Sequence, residues 1–285
     1  MITAPLHRRP LTLPLIVFVC LAGTIVRSES TTTLVYEVDQ ASLNQPVEKV
    51  GVNVKDLVEA VNRRLGPAGS ATLLPNGQIQ IDLKGPLDGA ELESAKMRAA
   101  ATGSLEFRIL ASPLFASDMP IIRQAQSLAP KEKEVVVGED VEARWVRYST
   151  DTLGSTEDSM VTRAIGGNKE TLILIDPLHV TGVYLRAARK TLDQRGTSAI
   201  ELFLTKRGAK LLGKLTGGNA PNPAGSTRRL GLVLDDKLLA APTIQATVSN
   251  AAVFGGLSKH EATSVMAILN EGVLPLPLRE VEETQ

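Results

Sequence analysis

Chemistry needs groups that can move a proton, attack carbon or hold a metal, and in this chain few such groups are clustered. The most suggestive cluster is Asp235 and Asp236 in LGLVLDDKLLAAPTI, residues 230–244, where two carboxylates sit between apolar runs. Paired carboxylates suit a metal site or an acid/base pair, but either use needs a third ligand or a histidine nearby. The histidines are His7, His179 and His260, and none has metal-ligand spacing. Two polar residues between apolar runs also make the commonest hairpin turn, and the spacing favours that reading. His179 in DPLHVTG reads as a loop or strand-edge residue, and His260 as a solvent-facing residue in a helix's first turn. Cys20 lies inside an apolar run and offers no disulfide, thiolate cluster or nucleophile. No nucleophile-elbow serine, zinc-protease helix motif, phosphate loop or dinucleotide fingerprint occurs, and the glycine pairs beginning at 166, 217 and 255 read as turns. The expectation is therefore a protein that is not an enzyme, with no catalytic residue, metal or cofactor. The candidate contact residues are Arg63 with Arg64 and Arg228 with Arg229, which could clamp acidic peptide, although solvated surface charge is the ordinary use of such pairs.

Composition narrows the partners. Lysine plus arginine, 31, balance aspartate plus glutamate, 31, and aromatics are 3% of the 285 residues, so neither a basic field nor stacking platforms exist for nucleic acid. With 43% hydrophobic residues the chain can build genuine cores. His7, Arg8 and Arg9 precede an uncharged run, Leu11–Val26, and RSESTTT then turns polar. This is the pattern of an export signal or N-terminal membrane anchor over residues 1–28, the run falling short of the ~20 residues of a comfortable span. The basic flank keeps that end cytoplasmic, so everything after Ser28 is expected on the extracytoplasmic side of the inner membrane.

The elements that follow alternate in period. TLVYEV (33–38), QIQIDL (78–83) and LEFRIL (105–110) alternate apolar and polar residues as half-buried strands do. Val54, Leu57, Val58, Val61 and Leu65 make one helical stripe with Arg63 and Arg64 turned away from it, and a weaker helix runs through Leu92, Ala95 and Ala99. Strand, helix, strand, helix, strand predicts one small α/β layer over 32–110. Residues 111–170 read as a connector or insertion, with a short helix capped by Ser117 or Asp118, a strand EARWVRY and solvated loops PKEKE and STDTLGSTEDS. A second block, 171–280, has strands TLILI and AIELFL, a helix that Thr205 can cap, the Asp235–Asp236 hairpin and a last helix. That helix carries a Ser258–Glu261 capping box, a stripe of Ala262, Val265, Met266 and Leu269, and Gly272 at its end. The second block should therefore be an antiparallel α+β layer.

At this point the residues carry a resemblance. LVYEVD (34–39), VNRRLGPAG (61–69), TGSLEFR (102–108), VTGVYL (180–185), LGLVLDDKLLAAPTIQ (230–245) and ILNEGVLPLPL (268–278) resemble, in this order, the extracytoplasmic first loop (P1) of SecD, an accessory subunit of bacterial Sec export. The resemblance implies an α+β fold with a ferredoxin-like base, 32–110, and a mobile head subdomain, 171–280, at the exit side of the channel. It implies translocating or unfolded polypeptide and Sec membrane subunits as partners, and the inner membrane through the N-terminal segment. A free-standing extracytoplasmic binding or scaffold domain that keeps the fold without the Sec role is the alternative. The chain also departs from the family. SESTTT stands in place of a Gly-Leu-Asp-Leu-x-Gly-Gly segment, Asp236 stands where glycine is usual, which suggests a different turn type, and the later proton-coupling helices are expected to be missing beyond REVEETQ.

Overall fold

The computed structural model describes residues 31–40, 53–149, 159–193, 196–222, 225–248 and 251–283. The expected export segment, 1–28, and most of STDTLGSTEDS lie outside them. In chain order the elements are β1 (Thr31–Val38), α1 (Val54–Leu65), β2 (Gly69–Leu73), β3 (Ile79–Lys84), α2 (Gly89–Ala100) and β4 (Leu105–Leu110). There follow α3 (Met119–Ser127), β5 (Glu134–Val137), β6 (Asp140–Tyr148), β7 (Thr162–Ile165), β8 (Asn168–Leu174), β9 (Leu185–Leu192) and β10 (Ser198–Leu204). The remainder is α4 (Lys206–Gly217), β11 (Leu230–Leu234), β12 (Lys237–Ala240), β13 (Ala251–Phe254), α5 (Lys259–Glu271) and β14 (Leu278–Glu283).

The first body is an antiparallel sheet in the order β14-β1-β3-β2 with α1 and α2. Alternation puts Leu34, Tyr36, Ile79, Ile81 and Leu83 on the inner face against Leu57, Val61, Leu65, Ala95 and Ala99 of the helices. Each large aliphatic side chain so buried contributes ~1.5–3 kcal/mol, which decides the side of the sheet the helices take. The starts of the helices are fixed locally. Asn53 accepts a hydrogen bond from Lys55 N to open α1, and Asp88 with Glu91 forms a capping box on α2. The fourth strand, β14, comes from the far end of the chain, and Leu274 and Leu276 ahead of it complete the same core.

LEFRIL, expected in this layer, lies elsewhere. β4 pairs with β11 and β8, and pairing of β8 with β6, β6 with β12 and β12 with β11 closes a ring of five strands. Leu110, Val146, Tyr148, Ile173, Val233 and Leu238 form one core of this barrel, while Trp145, Ala143, Val135 and Leu172 pack with Ile122 and Ala125 of α3 in another. The stretch read as a connector thus supplies α3 and strands β5, β6 and β7. The misplacement of β4 has a simple cause. Its polar positions, Glu106 and Arg108, resemble a solvent face but point at each other and at Arg144, so alternation alone could not reveal that both faces are covered.

The last core joins the barrel to a small sheet, β13-β10-β9, and to α4 and α5, with Phe107, Leu202, Leu212, Leu232, Phe254 and Val265 inside. Thr205 caps α4, and the Ser258–Glu261 capping box opens α5 as expected. His179 and His260 are both exposed. The hairpin expectation holds, with one correction: β11 and β12 belong to the barrel. Asp235 and Asp236 both lie in the left-handed region, at φ 49° and 60°, as two-residue hairpins of the twisted sheet require. Asp236 sits 3.3 Å from Arg144 but is largely exposed, so that pair is worth little. Asp236→Gly is expected to keep or raise stability by up to ~1 kcal/mol in urea unfolding, since glycine takes positive φ without a Cβ penalty. A clear loss would mean that the carboxylate does more than shape the turn.

Candidate functional site

Four segments distant in sequence meet where the base helices touch the barrel: the end of α1, the link 101–104 between α2 and β4, the hairpin tip and the end of α5. Arg64 is at the centre, 2% exposed, inside the helix face rather than turned from it. Its guanidinium donates to the carbonyls of Ala101, Thr102 (3.3 Å) and Gly272, tying α1 to the link and to the end of α5. Burial disfavours its charge and lowers its pKa to about 10, with Asp235 and Glu271 pulling in the opposite direction. Gly103 faces this cation at φ 89°, and a Cβ there would lie 2.9 Å from Arg64 Nη2 and 3.1 Å from the Gly272 carbonyl. The glycine of TGSLEFR is therefore required twice over, by conformation and by space.

Asp235, the first residue of the opening pair, holds the link from the other side. Its carboxylate accepts from Thr102 Oγ1, from Gly103 N at 3.1 Å and from Ser104 N at 2.8 Å, while its own N–H donates to Ser104 O at 3.0 Å. Leu274 N donates to Thr102 O at 2.7 Å, so the strand returning to the base leaves through the same knot. Arg63 bonds Glu271 at 2.8 Å, and the Ser94 and Ser264 hydroxyls join α2 to α5. Beside this junction, between α2, α5 and the hairpin, opens a cleft of about 720 Å³ whose walls include Met97, Ala101, Arg147, Leu234, Lys237 and His260.

The four candidate arginines do not converge. Arg63 is exposed on α1, Arg64 is buried in the junction, and the Arg228–Arg229 pair lies in the strand-entry loop of β11. Arg228 is buried and forms two 2.7 Å hydrogen bonds with Asp118, its guanidinium 3.9 Å over the Phe115 ring. Arg229 reaches Ser159 Oγ at 3.0 Å and the Ala241 carbonyl at 2.9 Å. A surface contact role for Arg64 and Arg228 is thus replaced by a structural one, because burial and internal partners withdraw both guanidinia. Asp118 does not cap α3 with its side chain, since its carboxylate is turned to Arg228 and to Ser112 N. The residues missed from sequence are those whose partners are distant: Asp118, Glu106 and the Thr102–Ser104 link. Gly103 between a helix and a strand was the one legible signal. In the barrel, Glu106 accepts from Arg108 and Arg144 at 2.7 Å each. Burial pushes its pKa up, but these hydrogen bonds and charges outweigh it and leave the carboxyl below its ordinary value. Among the described residues no group of three or more His, Cys, Asp or Glu is placed to hold a metal.

A helix-backed base sheet and a barrel-and-sheet body, joined at this junction, make this an α+β protein. Residues 158–276 match the family model of the SecDF P1 head subdomain. The chain carries a SecD-family P1 region. It is 35% identical over 106 residues to the protein translocase subunit SecD of Rhodobacter capsulatus, covering 36% of this chain and 18% of that one. To SecD of Aquifex aeolicus it is 25% identical over 264 residues, 91% of this chain and 44% of the other. The chain thus spans less than half the length of these relatives. A crystal structure of SecDF in a super-membrane-facing form shares the fold, with a TM-score of 0.50 and 24% identity over 89% of this chain and 30% of that one.

Proposed function

We propose that this chain serves Sec-dependent protein export as an extracytoplasmic P1-type module that contacts translocating polypeptide or Sec membrane subunits. The observation that carries the reading is the head match over 158–276, within a likeness to SecD of Aquifex aeolicus that runs over 264 residues. The expected division, base 32–110, connector 111–170 and head 171–280, becomes in this reading a base of 31–101 completed by 274–283, with the barrel and small sheet as the head side. No helix among the described residues is long and apolar enough to cross a membrane. Proton coupling by charged groups inside a bilayer is therefore left to other segments or subunits, and the described residues act by binding. The N-terminal segment, 1–28, holds the module at the inner membrane or directs its release beyond it. A client captured by the head pulls on the base through the Arg64–Asp235 junction.

The test is crosslinking in cells. A photoactivatable side chain in place of Asn219, in the loop following α4, should trap a translocating precursor or a Sec membrane subunit. Reproducible recovery of a folded, unrelated partner with neither of these would favour the free-standing scaffold instead.

A further inference from the structure

Most open strand edges among the described residues are blocked. Asn62 of α1 behaves as a neighbouring strand toward β2, donating to Ala71 O at 3.0 Å and accepting from Ala71 N at 2.7 Å. Gln124 of α3 donates to Val136 O of β5 at 2.7 Å, and Asn270 of α5 accepts from Ala188 N of β9 at 3.1 Å. β14 reads LREVEE, so that edge is guarded by charge, and Arg163 of β7 turns its guanidinium to Glu170 and to the Glu132 carbonyl. β13 differs. It reads AAVF, with no charge and no proline, and Val253 on it is 49% exposed.

The alternation of the ladder shows which groups of β13 face outward. Ala188 turns its N–H away from β10 to Asn270, so its partner Leu202 turns its own main-chain groups toward β13 and bonds with Ala252. Ala251 and Val253 therefore direct N–H and C=O away from the sheet. No side-chain amide or further strand meets them among the described residues. On the outer face, Val253 lies across from Glu201 and Ala251 across from Phe203, with Glu201 neutralised by Arg189 at 2.7 Å. The face beside the open edge thus carries Val253, Ala251 and Phe203 with one paired Glu201–Arg189 and no net charge among these residues.

We propose that the outward edge of β13 is a strand-addition site that takes an extended, uncharged, β-branched-rich segment of polypeptide as a fourth strand. Main-chain bonds to Ala251 and Val253 would supply affinity, and alternate side chains would lie beside Val253. A second copy of this chain is a poor occupant. Four residues span ~14 Å, and pairing over that length buries far less than the ~1,200 Å² of a stable interface. Brief capture of an unfolded segment fits so short an edge. The inference rests on the polypeptide-contact reading above for the source of that segment, but its test is separate.

A fluorescein-labelled twelve-residue peptide of alternating valine and threonine is titrated into the full chain and followed by anisotropy. Val253→Pro removes an outward N–H without touching the ladder to β10, so the fold should persist while affinity falls at least ~10-fold. Val253→Lys, which guards the edge by charge, should weaken binding similarly and replaces the proline variant if that one loses its native circular dichroism. Binding unchanged in the folded variants would overturn the proposal. So would a concentration-dependent dimer in sedimentation that Val253→Pro abolishes, since the occupant would then be a second copy. Absence of peptide binding with precursor crosslinking at position 219 intact would sink this site and leave the export reading standing.

Discussion

Replacing Arg64 with methionine is expected to lower the unfolding free energy by about 2–4 kcal/mol, through carbonyls left without a donor. Three acceptors converge on the guanidinium, from Ala101, Thr102 and Gly272; with methionine Thr102 O keeps the Leu274 N–H, while the carbonyls of Ala101 and Gly272 lose the guanidinium donor. The opposing term is the desolvation of the cation, visible in a pKa lowered to about 10, which the apolar residue relieves. The lost donor outweighs it because Arg64 is itself buried where these acceptors converge, so its hydrogen bonds are not simply exchanged for solvent. Arg64→Lys should fall between the two, since an ammonium is a compact donor and cannot span all three acceptors. Urea unfolding checks the order wild type, lysine, methionine. A methionine variant as stable as wild type would show that the contacts add nothing.

The Asp118–Arg228 pair should give the other large effect. Both side chains are nearly fully buried, and their two 2.7 Å bonds tie the start of α3 to the loop entering β11. Asp118→Leu or Arg228→Met alone strands one buried charge and should cost about 3–5 kcal/mol, whereas the double replacement should recover most of the loss. The Phe115 ring beneath the guanidinium makes Arg228→Lys no substitute. Equal losses for the single and double variants would mean that the two residues do not act as a pair.

These two sites also mark where the sequence was legible. The ends of α1, α4 and α5 could be read because caps and stripes are local, and the Asp235–Asp236 turn because two residues between apolar runs leave few alternatives. The base core could be read from alternation, apart from β2, a short strand just after α1, and the last strand, which arrives from residue 278. The barrel could not be read. β4 hides a buried Glu106–Arg108–Arg144 cluster behind an alternating pattern, and α3 to β7 looked loose because their core is divided among short segments. The arginines were misjudged for a related reason. Charge suggests solvent, and only the fold brings Asp118 and the Gly272 carbonyl to meet it. Asp235 was read correctly as a turn residue, yet its grip on Gly103 and Ser104 depends on a contact more than a hundred residues away in sequence.

The junction makes the base and the barrel side one mechanical unit, and amide hydrogen exchange at Gly103, Ser104 and Leu274 tests this most directly. These three N–H groups donate to Asp235 and to the Thr102 carbonyl. In the intact chain they should exchange as slowly as amides inside β4 and α5, and Arg64→Met should quicken all three together. Exchange at these amides close to the rate of an unstructured linker, with β4 and α5 still protected, would contradict the account, because the link between α2 and β4 would then not be held by Asp235 and the Thr102 carbonyl.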